Sequence, residues 1–389
     1  MVTEKIQIGV IGSGTMGTGI AQIAATSGHD VTIIDNEEQA LVNASKKLEK
    51  IFSRLVEKKR MTLEEMQESI ARTTFTTDLE SLSNCQLVVE AIIEDVQIKQ
   101  QVFQKLEKIV DENCILATNT SSLSVTAIAA ACEKDSRVIG IHFFNPAPLM
   151  PLVEIVPGLV TDSKILEAAK MLIDSWGKTV VVAKDTPGFI VNRIARPFYG
   201  EAIRILEEGV ADVATIDWAL KEQGFRMGPF ELMDLIGNDV NYQVTCSVFE
   251  AFFYDQRYKP SFTQQRLVQA KRYGRKSGHG YYNYAENVAK PQPTEDKDLA
   301  QTIMMRVVSM IINEAVDAVF LQVATAKDID LAMTKGVNYP KGPIAWLEEI
   351  GSGNVLGFLQ GLYEEYGEDR YRPSPLLRKM VKSGKSFLS

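Results

Sequence analysis

Short runs of apolar residues alternate with amphipathic stretches over roughly the first 185 residues of the chain. The clearest runs fall at residues 6–11, 31–34, 87–91, 115–117 and 138–141. Helical patterns lie between them, and strands separated by helix-length segments predict parallel βαβ units in a doubly wound sheet. Two further runs, at 152–156 and 179–182, flank another helical pattern and extend the predicted sheet.

From residue 187 onwards helical periodicity dominates, with Gly and Pro as punctuation. Several residue pairs in this region recur 113 positions later: Glu201-Ala202 as Glu314-Ala315, Ile216-Asp217 as Ile329-Asp330, and Pro260-Ser261 as Pro373-Ser374. Two others recur 114 positions later: Gly228-Pro229 as Gly342-Pro343, and Gly237 as Gly351. A near-constant offset indicates a tandem duplication with one inserted residue.

The predicted fold class is therefore an α/β Rossmann-type doubly wound sheet followed by two tandem all-α domains. We expect boundaries at 1–186, 187–288 and 293–389, with a polar, Pro-rich linker around 290–294. The length of 389 residues agrees with two or three domains at roughly 150 residues each.

Composition and charge exclude several classes of protein. Hydrophobic residues make up 45% and charged residues 24% of the chain, which is typical of a globular protein. The net charge of −8 argues against nucleic acid as a partner. No apolar run approaches the roughly 18 residues of a membrane span, and neither chain end resembles a targeting signal. The four cysteines lack metal-site spacing, so we expect reduced thiols, no metal and a cytoplasmic location.

A glycine motif follows the first predicted strand and opens a helix: Gly12-Ser13-Gly14-Thr15-Met16-Gly17. In this context its glycines permit a tight turn, close approach of a pyrophosphate and close packing of helix on strand. Asp35 ends the next strand, 21 residues beyond Gly14. A carboxylate there accepts hydrogen bonds from ribose hydroxyls and repels a 2′-phosphate, so NAD is favoured over NADP. The plain alternative is that Asp35 merely ends a strand.

The chain has three histidines, which narrows the search for a general base. His29 lies in the turn after the first helix, and His279 in a Gly-rich stretch. His142 closes the run 138–141, and the carboxyl end of a parallel strand faces the crevice where such sheets bind ligands. His142 is therefore the candidate.

Together, several motifs resemble the NAD-dependent 3-hydroxyacyl-CoA dehydrogenase family. They are the glycine motif, Asn119-Thr120-Ser121-Ser122-Leu123, the stretch 142–146 with Glu154, the stretch 185–193, and the stretch 274–282. They occur in order between about residues 6 and 284, and the second helical segment resembles a further copy of the family's helical domain. The resemblance implies oxidation of (S)-3-hydroxyacyl-CoA to 3-oxoacyl-CoA with NAD, in fatty-acid β-oxidation or a related pathway.

The resemblance also implies roles for individual residues. His142 would be the general base and Glu154 its carboxylate partner, while Ser121 and Asn192 would hold the 3-oxygen and thioester region of the substrate. Lys58 would contact the CoA phosphates. The positions expected at the cofactor are Gly12, Gly14, Thr15, Met16, Gly17, Asp35, Glu94, Lys99, Asn119 and Asn145.

Plainer interpretations stay open for several of these residues. Glu154 could be a solvated glutamate at a strand edge, and Ser121 or Asn192 could be helix caps. Glu94, Lys99 and Lys58 could be ordinary charged surface residues. A helix starting near Pro187 would place Asn192 three to four residues inside it, which a cap does not explain.

Two functions compete with the leading one. A dehydrogenase of a hydroxy acid without CoA is the nearest, and a non-catalytic NAD-binding or structural protein is the other; the presence of both His142 and Glu154 argues against the second. In simpler members of the family the helical domain mediates dimerisation. We therefore expect the second copy to pack on the first as an internal pseudo-dimer, giving a monomer or a weak homodimer.

Overall fold

The protein is described by a computed structural model that covers residues 5–387. These residues fall into two compact units, divided between Thr186 and Pro187. Residues 1–4 and 388–389 lie outside the described residues. The predicted first domain begins and the predicted third domain ends in these undescribed residues. The expectations for the two chain ends also fall partly on them.

The first unit is built on one eight-stranded sheet. Its strands are β1 (Gln7–Ile11), β2 (Asp30–Ile34), β3 (Thr73–Thr76), β4 (Leu87–Glu90), β5 (Ile115–Thr118), β6 (Val138–Phe143), β7 (Leu152–Pro157) and β8 (Thr179–Val182). The spatial order is β3-β2-β1-β4-β5-β6-β7-β8. The first six strands in chain order run parallel to one another, so their carboxyl ends share one edge.

Helices cover both faces of this sheet, which explains why most residues of its central strands are apolar. They are α1 (Thr15–Thr26), α2 (Glu38–Glu57), α3 (Leu63–Ala71), α4 (Val96–Ile109), α5 (Val125–Ala129) and α6 (Ser163–Ser175). One buried cluster joins β1 to α1 and α6 through residues such as Val10, Ile20 and Ile173. A second cluster, on the other face, includes Phe103 of α4 and Ile128 of α5.

Two features of the sheet were not part of the prediction. Strand β3 was not predicted, because its sequence Thr-Thr-Phe-Thr has no apolar run and it lies half-exposed at the sheet edge. Strand β7 runs antiparallel to β6, and β8 runs parallel to β7. Residues 144–151 join β6 to β7, fewer than the dozen or more that a parallel crossover requires.

The second unit is built from helices. They are α7 (Val191–Ile194), α8 (Arg196–Glu207), α9 (Val213–Glu222), α10 (Pro229–Ile236), α11 (Asn238–Ala251), α12 (Phe262–Gln269), α13 (Lys297–Phe320), α14 (Ala326–Gly336), α15 (Pro343–Ile350), α16 (Ser352–Tyr366) and α17 (Pro375–Ser383). Helix α7 begins at Val191, so the expectation of a helix starting near Pro187 is wrong. Gly188 and Phe189 both have positive φ, +72° and +46°, which stops a right-handed helix from starting earlier.

The two halves of this unit have matching elements. Helices α9, α10, α11 and α12 correspond to α14, α15, α16 and α17, and the short 3₁₀ turn Gln256–Tyr258 corresponds to Asp369–Tyr371. Equivalent elements lie 113 or 114 positions apart, as the sequence repeat does. Helix α13 packs against α8 and α9 of the first half and against α14, α15 and α17 of the second half.

Two buried ionic clusters link the halves. In the first, which we call the Glu314 cluster, Glu314 Oε1 accepts hydrogen bonds from Arg193 Nε at 2.5 Å and from the Tyr258 hydroxyl at 2.6 Å. In the second, the Glu201 cluster, Glu201 Oε1 accepts from Arg306 Nε at 2.6 Å and from the Tyr371 hydroxyl at 2.7 Å. A second arginine lies 3.5 Å from the other oxygen of each glutamate, Arg257 in one cluster and Arg370 in the other. Each residue has its counterpart 113 positions away in the other cluster.

Across the described residues, no helix combines the length and the apolar character that crossing a bilayer would require.

Candidate active site

The glycine loop between β1 and α1 has the shape of a phosphate-binding turn. Gly12 has a φ of +99°, in the left-handed region that favours glycine. A Cβ on Gly17 would lie 1.8 Å from the Gly12 carbonyl oxygen, so a side chain there would push helix and loop apart. A Cβ on Gly14 would meet no atom of the described residues within 4 Å. The loop therefore leaves open space at the amino end of α1, where the amides of Thr15 and Met16 begin the helix.

Asp35 stands just beyond β2 and is held by the same loop. Its Oδ2 accepts hydrogen bonds from the Ser13 amide at 2.8 Å and the Ser13 hydroxyl at 2.7 Å. Although burial by itself opposes the charged form, these hydrogen bonds outweigh it and lower the pKa of Asp35. The carboxylate is therefore ionised and rigidly placed beside the phosphate turn, which suits it to accept ribose hydroxyls.

A buried lysine joins two glutamates at the carboxyl end of β4. Lys99 Nζ lies 2.6 Å from Glu90 Oε1 and 3.2 Å from Glu94 Oε2. The Lys99 and Glu90 side chains are 1% and 0% exposed, and that of Glu94 is 40% exposed. Glu90 also accepts a hydrogen bond from the Thr118 hydroxyl at 2.8 Å. The interpretation of Lys99 as an ordinary surface residue is therefore wrong.

Glu94 connects this cluster to the loop after β5. Its Oε1 accepts from the Thr120 hydroxyl at 3.0 Å and from the Ser121 amide at 2.9 Å. The Ser121 hydroxyl lies 3.5 Å from the same oxygen. The helix that follows is capped by Ser124, so Ser121 is not a helix cap. The contacts from Lys99 through Glu94 thus fix the backbone that carries Ser121.

His142 and Glu154 form a buried pair across the junction of β6 and β7. The two residues face each other in the antiparallel register, and His142 Nδ1 lies 2.7 Å from Glu154 Oε2. Glu154 is fully buried and His142 is 5% exposed. The interpretation of Glu154 as a solvated glutamate at a strand edge is therefore wrong. A carboxylate at Nδ1 fixes the imidazole tautomer and stabilises the imidazolium.

The strand that carries His142 is longer than predicted. β6 continues to Phe143, so His142 lies inside the strand and does not follow it. The Phe143 amide donates to the Asn119 side-chain oxygen at 2.8 Å, which ties the end of β6 to the loop after β5. Among the other histidines, His29 is buried, which lowers its pKa, and His279 is exposed in the second unit.

The structure brings most of the predicted residues of the first unit to one edge of the sheet. The glycine loop follows β1, Asp35 follows β2, Asn119 follows β5 and Asn145 follows β6, where it is exposed. Lys58 is set apart from them, exposed at the carboxyl end of α2. Asn192 belongs to the second unit, where it lies half-buried in α7.

Sequence reasoning missed three residues that organise this edge: Ser13, Glu90 and Thr120. Glu90 carries a usable signal, because a glutamate that ends an otherwise apolar central strand needs a partner when buried. Ser13 and Thr120 carry little signal, since serine and threonine are common in any loop. Among residues 5–387 there is no group of three or more His, Cys, Asp or Glu arranged to hold a metal ion.

Comparison with protein families gives two domain matches. The family model of the 3-hydroxyacyl-CoA dehydrogenase NAD-binding domain matches residues 7–186. The model of the 3-hydroxyacyl-CoA dehydrogenase C-terminal domain matches twice, at residues 188–284 and 303–387.

Individual relatives agree with these matches. A 3-hydroxyadipyl-CoA dehydrogenase of Escherichia coli strain K12 is 39% identical over 472 aligned positions that cover 99% of each chain. The crystal structure of a 3-hydroxybutyryl-CoA dehydrogenase from Escherichia coli K12 has a TM-score of 0.92 and 38% identity, and covers 98% of this chain and 100% of that one. The structure of Mycobacterium tuberculosis FadB2 has a TM-score of 0.69 and 39% identity, and covers 72% of this chain and 100% of its own.

Proposed function

The chain belongs to the 3-hydroxyacyl-CoA dehydrogenase family, and from this premise we propose that it interconverts (S)-3-hydroxyacyl-CoA and 3-oxoacyl-CoA with NAD. The observation that carries the proposal is the buried His142–Glu154 pair near the carboxyl end of β6. An imidazole oriented by a buried carboxylate is the group that alcohol oxidation requires, because a proton must leave the hydroxyl as hydride leaves the carbon.

In the oxidation direction, His142 takes the proton of the 3-hydroxyl while the hydrogen on C3 leaves as hydride. Since Glu154 holds Nδ1, Nε2 is the ring nitrogen that receives this proton. Glu154 keeps its negative charge and stabilises the imidazolium that forms. In the reverse direction His142 returns the proton to the 3-oxygen. Bound NAD supplies the hydride acceptor for this exchange.

The residues around the glycine loop suit NAD. The open space beside Gly14 and the amides of Thr15 and Met16 accommodate a pyrophosphate, while Gly17 keeps α1 close to the loop. Asp35 receives the adenosine ribose and discriminates against NADP. We assign Glu94, Lys99, Asn119 and Asn145 to the surroundings of the nicotinamide and its ribose.

Three residues are assigned to the acyl-CoA. Ser121, whose backbone is fixed by Glu94, is proposed to hydrogen-bond the 3-oxygen, and Asn192 to orient the thioester region. The exposed ammonium of Lys58 is proposed to pair with the CoA phosphates.

Assay of the purified protein with acetoacetyl-CoA and NADH tests this function. We expect loss of NADH absorbance with the unaltered chain. His142→Gln should lose about 10²–10⁴-fold in kcat, the usual contribution of a general acid–base group, while NADH binding is retained. His29→Gln, which replaces another buried histidine of the same unit, is the matched control and should keep kcat. No turnover with acyl-CoA thioesters of any length would refute the function, and an unimpaired His142→Gln variant would refute the assignment of the base.

We further propose the domain boundaries 1–186, 187–288 and 293–389, with the second helical copy taking the place of a partner chain. The reciprocal Glu201 and Glu314 clusters support this arrangement, because each buried glutamate of one half is satisfied by arginine and tyrosine of the other. All four cysteines are free thiols, which supports a reducing compartment such as the cytoplasm.

A further inference from the structure

The short helix α7 connects a proposed substrate residue to the second half of the helical unit. Asn192 and Arg193 are neighbours in α7, and Arg193 is 2% exposed. Besides its bond to Glu314, the Arg193 guanidinium donates to Asp317 Oδ2 at 3.2 Å. Both carboxylates lie on α13. Arg193, the residue next to Asn192, is therefore anchored to the second half of the helical unit.

The carboxylate that anchors Arg193 is that of Glu314. Burial alone would raise the pKa of Glu314, but the positive charges of Arg193 and Arg257 outweigh it and lower that pKa. The carboxylate is thus ionised against the guanidinium of Arg193. A Phe252 ring 5.2 Å from the same guanidinium completes its surroundings. Removing the charge of Glu314 would leave a buried cation short of its main partner, which the structure around it must then rearrange to satisfy.

The Glu201 cluster supplies an internal comparison. Arg306 corresponds to Arg193, but it lies within the 24-residue helix α13, whose backbone hydrogen bonds already fix its position. Arg193 lies in the four-residue helix α7, which is separated from α8 by Ala195 alone and has little stability of its own. The residue before Arg306 is Met305, where the first half has Asn192. The two clusters thus share their chemistry and differ in what their arginines hold.

We infer that Glu314 is a positioning residue for substrate binding, acting through Arg193 to hold Asn192 in place. The inference rests on the proposed role of Asn192. Packing of α7 against α13 and α14 and the hydrogen bond from Arg196 Nε to the Asn192 carbonyl, at 3.0 Å, limit where α7 can move. Within those limits, the Arg193–Glu314 pair sets the orientation of α7 and so of Asn192. In addition to its structural role, the second helical copy therefore helps to position a proposed substrate-binding residue.

The test compares Glu314→Gln with Glu201→Gln in the full-length chain. The two glutamates are similarly buried and hydrogen-bonded, so both variants should lower the melting temperature by similar amounts. We expect Glu314→Gln alone to lower kcat/KM for acetoacetyl-CoA, by about 10- to 100-fold, because misplacement of a substrate contact by roughly 1 Å has effects of that size. Affinity for NADH should be the same in both variants. Should Glu314→Gln fail to fold, Arg193→Lys with Arg306→Lys as its control makes the same comparison.

A double-variant cycle with Asn192→Ala decides how Glu314 acts. If it acts through Asn192, adding Glu314→Gln to Asn192→Ala should cause little further loss of kcat/KM. Equal kcat/KM for Glu314→Gln and Glu201→Gln, or full additivity with Asn192→Ala, would overturn the inference. If Asn192→Ala by itself leaves kcat/KM unchanged, the proposed substrate role of Asn192 is wrong, and the inference falls with it. If the unaltered chain turns over no acyl-CoA, the proposed function fails first.

Discussion

Replacing Lys99 tests whether the ion pair at the end of β4 stabilises the edge of the sheet that carries the site. In Lys99→Met, Glu90 stays fully buried without its cation, and Glu94 loses the same partner. Breaking a buried pair from one side costs about 3–5 kcal/mol. We expect the free energy of unfolding of the first unit to fall by that amount.

The structure also predicts an order among the variants. Glu90→Gln leaves Lys99 with Glu94 at 3.2 Å as a remaining partner, so its cost should be smaller, about 1–3 kcal/mol. The double variant Glu90→Gln/Lys99→Met removes both buried charges together. Its cost should therefore be less than the sum of the two single costs, by at least about 1 kcal/mol.

Hydrogen exchange of the backbone amides in β4 and β5 measures these changes in the free energy of unfolding. An effect of 3–5 kcal/mol corresponds to about two to three and a half powers of ten in exchange rate. Lys134→Met is the control, because Lys134 and its partner Glu112 are both mostly exposed, and such pairs contribute little. Rates for Lys99→Met within about tenfold of the unaltered chain, or additive single effects, would refute the reasoning.

Two glycine substitutions separate cofactor binding from folding: Gly14→Ala should keep the melting temperature but weaken NADH binding at least about tenfold, because its Cβ points into open space where a phosphate approaches. Gly17→Ala should lower the melting temperature, since its Cβ would collide with the Gly12 carbonyl; calorimetry of both variants checks the pair, and equal melting temperatures would contradict it. Sedimentation at micromolar concentration should give a mass near 43.2 kDa, that of one chain. A stable species of twice that mass would argue against an internal pseudo-dimer.

Most strands of the first unit could be predicted from the sequence. Because both faces of the sheet are buried, each of these strands contains a run of apolar residues. The edge strand β3 has no such run, since half of it faces solvent. The direction of β7 was missed because an apolar run carries no sign of direction. The connection 144–151 does indicate the direction of β7, because it is too short for a crossover between parallel strands.

Residues of the candidate site could be proposed from the sequence where chemistry limits the choice of residue. Three histidines and one glycine motif left few alternatives, and His142 was selected by position and elimination. Glu90 was missed because a glutamate at the end of a strand is unremarkable until its burial is known. The start of α7 was misplaced because Pro187 resembles a helix start, whereas the positive φ of Phe189, a rare conformation for that residue, cannot be read from sequence.

The reciprocal clusters of the helical unit have a consequence for how the protein can vary. In a two-fold dimer of identical chains, one substitution appears on both sides of the interface at once. Here a change at Glu314 leaves Glu201 untouched, so each half is free to diverge alone. That freedom is visible at Met305, which stands where the first half has Asn192. Joining the halves in one chain allows the two copies to carry different residues at equivalent positions.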